Sequence, residues 1–189
     1  IGAACFTLAA IHLVIWMKGR HQHANFMFAL TSVSVGIVSI LELFLMHANT
    51  PQQYENLVRW GHVPVVTMVV GIVGFVLIHF RAGSVVLAGV VCVTRIATLI
   101  PNALSGANLN FKEVKALQAL PVWGGDFIVV PLQAIPNPWM WMGRANAALL
   151  VLFLATVVFQ VWRRGVSHER RSVVLVCGSG PRDGGVCAQ

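Results

Sequence analysis

The sequence predicts an all-α protein, a polytopic transmembrane helical bundle of at least five spans with a partly structured outer loop. Three observations carry that expectation. Hydrophobic residues fill 57% of the 189 positions and charged residues only 10%, which leaves too little polar surface to hydrate a globule. The apolar residues gather in runs close to the roughly 20 that a helix needs to cross a bilayer core. The basic residues stand in short clusters at the ends of those runs. A net charge of +7 would suit nucleic acid, but no basic stripe is present, so the lipid bilayer is the expected partner and nucleic acid is not.

Five runs qualify, at about 1–17, 24–46, 61–80, 85–104 and 139–162. Only a helix or a closed barrel satisfies its own backbone in lipid, and barrel strands would be shorter and alternating. The first run is followed by Lys18, Gly19, Arg20 and His21 rather than by a small-residue cleavage site, so it reads as a span that continues upstream of Ile1 and not as a signal peptide. In the second run Ser32, Gly36 and Ser39 share a face, as small-residue helix packing requires, and Gly71 and Gly74 do the same in the third. Thr50, Pro51 and Gln53 form a capping-box start. The third span therefore begins as a short surface helix carrying Tyr54, Leu57 and Trp60, with a bend expected at Pro64.

Sidedness follows from the basic residues. With segments 18–23, 81–84 and 163–171 cytoplasmic, the inside holds Lys18, Arg20, Arg81, Arg163, Arg164, Arg170 and Arg171, against Arg59, Lys112 and Lys115 outside. Positive residues favour the inside. Trp60, Trp139 and Trp141 then fall at the outer interface and Trp16 and Trp162 at the inner one, where amphipathic rings prefer to lie.

The outer loop over 105–138 is the least generic segment. Leu109 to Leu120 reads as a short interfacial helix, with Phe111, Val114, Leu117 and Leu120 opposing Lys112, Glu113, Lys115 and Gln118. After Pro121 and a Gly124–Gly125 turn, Phe127 to Val130 reads as a strand ended by Pro131. The chain divides into a membrane module over 1–171 and an incomplete or disordered tail over 172–189.

Few residues carry chemistry. Glu42 and Arg95 are the charges well inside spans, and ionisable groups there are usually paired or functional. Both lie towards the outer ends of their helices, so a Glu42–Arg95 pair is an expectation to test. His12 and His79 lie towards the inner face and His47 and His62 towards the outer, an arrangement of two imidazole layers such as a two-haem cytochrome uses. Their places at loop boundaries and helix ends favour solvated side chains over axial ligands. The cysteines Cys5, Cys92, Cys177 and Cys187 are too far apart for a CxxC metal pair and read as small hydrophobes. No catalytic residue, metal set or cofactor motif is found.

Three strings carry a resemblance: ELFLMHANTPQQYENLVRWGHVP at 42–64, LNFKEVKAL at 109–117 and PNPWMWMG at 136–143. Over about residues 5–170 the chain resembles the N-terminal multi-helical membrane module of bacterial sensor histidine kinases. The resemblance implies an inner-membrane protein that receives a signal at the outer face or in the bilayer. It would relay that signal to cytoplasmic PAS or kinase domains absent from this chain, which has no enzyme activity of its own, and a homodimer is an allowed assembly. Under that reading the sensing residues are Glu42, Arg95, Tyr54, Arg59, Trp60, His62, Asn108, Asn110, Asn137 and Trp139. A small transporter or channel is the alternative class, and it predicts inverted repeats and broken helices; a haem-b electron-transfer protein is the third.

Overall fold

A computed structural model describes residues 1–104, 108–121 and 127–178, with residues 104 and 165–178 described by backbone only. The elements are α1 (Gly2–Lys18), α2 (His23–Met46), α3 (Pro51–Phe80), α4 (Val85–Ala97), α5 (Leu99–Leu104), β1 (Phe111–Pro121), β2 (Phe127–Pro136) and α6 (Met140–Gly178). Four helical segments, His23–Met46, Pro51–Phe80, Val85–Ala103 and Met140–Arg164, are long and apolar enough to cross a bilayer, and on that ground the chain is a helical membrane protein. Helix α1 is apolar but shorter, at 17 residues.

The bundle turns its apolar side chains outward. Val86, Val151 and Val158 are more than 60% exposed, which in water would be a liability and in lipid is a solvated surface. Inside, Val69, Val73 and Val76 of α3, Ala82, Ala88 and Val91 on and before α4, and Phe153 and Val157 of α6 form one buried cluster. Small residues set the approach of α2 and α3. A methyl on Gly71 would lie 3.1 Å from the Met27 carbonyl and 3.2 Å from the Thr31 nitrogen, and one on Gly74 would lie 2.9 Å from the Met27 sulfur. Gly71 faces the Thr31 hydroxyl and the backbone behind it, and the backbone cannot swing aside. Gly71→Leu should therefore cost about 1–3 kcal/mol through overpacking, read as a lowered thermal midpoint of the purified protein in detergent. Gly74→Ala should cost less, because a methionine side chain can repack.

Local chemistry explains the helix boundaries. Thr50 Oγ1 accepts a hydrogen bond from the Gln53 nitrogen at 3.2 Å, with Pro51 at the first helical position. The Gln53 side chain reaches one residue beyond a strict capping box and accepts from the Asn49 nitrogen at 3.1 Å. Helix α3 is continuous from this cap through Pro64, so the expected surface turn and the span are one helix. Ser84 caps α4 by accepting from the Leu87 nitrogen. The helix then breaks between Ala97 and Leu99, four residues ahead of Pro101, whose ring crowds the Ala97 carbonyl. Thr98 completes the break by donating from Oγ1 to the Arg95 carbonyl at 2.6 Å.

The outer loop is not helical, and the all-α expectation gives way there. Strands β1 and β2 form an antiparallel hairpin in which Phe111 pairs with Pro136, Val114 with Ala134 and Leu117 with Pro131. Register shifts fall between Phe111 and Glu113 and between Val114 and Ala116, leaving Lys112 and Lys115 as bulged residues without a partner. Each bulge adds one residue to the strand's two-residue repeat, so Phe111, Val114 and Leu117 come to one face at a spacing of three. That spacing is what imitates a helix in the sequence. Strand β2 also runs past Pro131 to Pro136, because a proline is tolerated on an edge strand or beside a register shift. The expected Gly124–Gly125 turn lies outside the described residues.

Helix α6 extends to Gly178, so residues 172–178, part of the segment that reads as a tail, are helical, and 179–189 lie outside the described residues.

Candidate functional site

The hairpin sits at the bundle end where α2 finishes and α3 and α6 begin, and four amide and carboxylate side chains fix it there. Asn108 starts β1: its Oδ1 accepts from the backbone nitrogens of Asn110 at 2.9 Å and Phe111 at 2.7 Å, an Asx turn. Asn137 closes the other strand. Its backbone nitrogen donates to the Asn110 carbonyl at 2.9 Å, its Nδ2 donates to the Asn108 carbonyl at 2.8 Å, and its Oδ1 accepts from the Trp139 nitrogen at 3.2 Å. One side chain thus ties the hairpin base to the first turn of α6. Glu55 of α3 accepts from the Val114 nitrogen, between the two bulged lysines. Asn102 of α5 donates to the Arg59 carbonyl at 2.8 Å and accepts from the Leu109 nitrogen at 3.3 Å, while Arg59 donates to the Ala103 carbonyl at 3.0 Å.

Beneath this clamp lies a cavity of about 420 Å³. Glu42 of α2, Tyr54 and His62 of α3, Arg95 of α4 and Asn110 at the hairpin base supply its polar lining, and Val38, Leu41, Leu45, Leu57, Val58, Val65 and Phe111 supply its apolar walls. Arg95 is 8% exposed, and its Nε and the Nε2 of His62 are buried without hydrogen-bond partners. Buried polar atoms left unpaired each cost about 1–3 kcal/mol. Glu42 is exposed and lines the same cavity, yet no ion pair within 4.0 Å joins it to Arg95. The direct pair suggested by the sequence is therefore not formed, and the two charges stand apart on the walls of one space. Gly61 also lines it, and a methyl added there meets no atom within 4 Å.

The remaining predicted residues divide between clamp and periphery. Arg59, Asn108, Asn110 and Asn137 belong to the clamp. Trp60 and Trp139 are 67% and 53% exposed, projecting from the bundle at the hairpin end. Trp60 borders a smaller cavity of about 250 Å³ with Arg59, Val63, Leu99, Asn102 and Ala103.

The four histidines do not form two facing pairs. The His12 ring lies 4.3 Å from Phe28, Phe28 lies 5.5 Å from Phe75, and Phe75 stacks on His79 at 5.0 Å. Two phenyl rings fill the space a porphyrin would need between these imidazoles. His12 Nδ1 is also hydrogen-bonded to Asn25 Oδ1 at 2.9 Å, and His47 Nδ1 donates to the Leu43 carbonyl of its own helix at 2.8 Å. Only His62 faces the cavity.

Sequence reasoning passed over several contributors. Neither Glu55 nor Asn102 was singled out, and Asn146, 2% exposed within α6, donates to the Val91 carbonyl at 2.8 Å and Thr94 Oγ1 at 2.7 Å. An amide within an apolar run was the available signal for Asn146. Comparisons of the chain with protein-family models, with curated proteins and with solved structures find no match.

Proposed function

We propose that the chain is a membrane signal-input module whose receptor site is the cavity lined by Glu42, His62 and Arg95. The observation that carries this reading is a charged, partly unpaired pocket set directly beneath a hairpin that is hydrogen-bonded to α3 through Glu55 and whose closing residue, Asn137, accepts from the Met140 nitrogen at the start of α6. A transporter's path would need continuity across the membrane, whereas this cavity lies at one end of the bundle. Occupancy would pull on Arg95 and on the hairpin base at Asn110 and Phe111, and through Asn137 on the start of α6. The signal then travels as a shift of α6 towards cytoplasmic PAS or kinase domains outside this chain. In this reading α1 is a fifth span, the protein lies in a bacterial inner membrane, and the hairpin faces outward. The supporting argument for sidedness is the excess of basic residues in 18–23, 81–84 and 163–171.

The test uses the full-length receptor in native membrane vesicles, with output activity as the readout. Gly61→Leu fills the cavity without striking a neighbour at its Cβ, and leucine improves helix propensity by roughly 0.5–1 kcal/mol over glycine. It should leave expression and thermal stability intact and hold output at one level whatever the stimulus. If Gly61→Leu, Glu42→Gln and Arg95→Leu all leave the response unchanged, the cavity is not a receptor site.

A further inference from the structure

We infer that the cavity takes a zwitterionic small molecule with an apolar tail, its anionic group on Arg95 and His62 and its ammonium on Glu42; this rests on the reading of the cavity as a binding site. The charges lining the space are one carboxylate and one guanidinium, contributed by different helices and not paired with each other. A simple anion that reached Arg95 would also meet Glu42, and a simple cation that reached Glu42 would meet Arg95. A molecule bearing both charges satisfies both walls at once. Arg95 as a residue is more than nine-tenths buried, and its Nε and the neighbouring His62 Nε2 have no partner in the protein, so a carboxylate or phosphate oxygen would find the Arg95 Nε–H already desolvated. Apart from Tyr54, Asn110 and Gly61, the remaining walls are valine, leucine and Phe111, suited to an aliphatic or aromatic side chain. The volume, about 420 Å³, falls in the range of small-molecule sites, roughly 300–1,000 Å³.

The same chemistry has two sources: a free hydrophobic amino acid, or the headgroup of phosphatidylethanolamine from the surrounding bilayer. The purified chain would be placed in nanodiscs of phosphatidylglycerol alone and titrated with L-phenylalanine, 3-phenylpropionate, which lacks the ammonium, and phenethylamine, which lacks the carboxylate. Thermal midpoint and calorimetric affinity are read together. L-Phenylalanine should bind at least tenfold more tightly than either half-molecule. Glu42→Gln should erase the advantage over 3-phenylpropionate while sparing the advantage over phenethylamine, a charge-specific change that misfolding does not produce. Gly61→Leu should abolish binding of all three.

A parallel series with phosphatidylethanolamine in the nanodisc distinguishes the sources. Stabilisation by that lipid which Glu42→Gln removes, with no response to the amino acid, supports the zwitterion with a lipid origin. Equal binding of phenylalanine and 3-phenylpropionate to the unaltered chain, or no response to either zwitterion, overturns the inference. In that event an effect of Gly61→Leu on receptor output would still uphold the cavity as the receptor site, so the two readings fail separately.

Discussion

Replacing Asn137 by leucine is expected to release the hairpin from the bundle. The side chain is 3% exposed, and its loss leaves the Asn108 carbonyl and the Trp139 nitrogen without the partners it supplies. Each orphaned group costs about 1–3 kcal/mol, so the thermal midpoint should fall and limited proteolysis should cut within residues 108–136 well before global unfolding. Asn137→Asp is the informative companion. A carboxylate still accepts from the Trp139 nitrogen and suits a helix N-terminus, but it cannot donate to the Asn108 carbonyl. The aspartate variant should therefore keep the start of α6 ordered while loosening the strand base. Equal protease resistance in all three proteins would show that Asn137 does not hold the hairpin.

The second large effect is expected at the opposite end of the bundle, in the turn between α3 and α4. Gly83 has φ of +104°, and an added methyl would lie 2.9 Å from both Phe153 Cε2 and Val157 Cγ2. Its nitrogen donates to Gln160 Oε1 at 2.8 Å. Gly83→Ala must adopt a left-handed backbone at about 1–2 kcal/mol and push into a core position at a further cost of about 1–3 kcal/mol. The combined loss should appear as the larger midpoint decrease of the two, compared with Gln160→Ala, which removes a single hydrogen bond worth about 1 kcal/mol. A Gly83→Ala protein as stable as Gln160→Ala would mean that α6 is free to move away from this turn. Arg164 reinforces the same junction by donating from Nη1 to the Phe80 and Arg81 carbonyls at 3.4 and 3.0 Å.

What was legible beforehand follows from how each feature is written in the chain. A helix that crosses lipid must be apolar all along its length, so four spans stand out as runs, and the glycines that let α2 and α3 approach stand out within them. Glu42 and Arg95 were conspicuous because charge within such a run is rare. Their separation across a cavity was not, since it depends on the lateral placement of α2 and α4. The same ignorance of lateral placement let His12 and His79 look like a facing pair by depth alone, whereas Phe28 and Phe75 lie between their rings. The hairpin was hidden for a different reason: bulges at Lys112 and Lys115 stretch the strand repeat until it counts like a helix. The amides of Asn102 and Asn146 carry no charge and drew no notice, yet each is buried and bonded across helices. The true length of α6 was also concealed, because an apolar run marks the span and stops at Trp162, while the helical backbone continues through Arg163 and beyond.

That length makes α6 a lever under the proposed signal-input reading. Helix α6 has 39 residues, about 58 Å at about 1.5 Å per residue, roughly twice the hydrocarbon thickness. A stiff rod of that length turns angle into travel: tilting it by about 5° around its hairpin end carries the far end about 5 Å sideways, close to the rise of one helical turn. Were the Gly83–Gln160 and Arg164 contacts the pivot instead, the rod would be divided at about residue 160, with about 20 residues on the hairpin side and about 18 beyond. The two arms would then be nearly equal, and under the proposed signal-input reading a displacement at the hairpin would reach the far end at close to its original size and with its direction reversed.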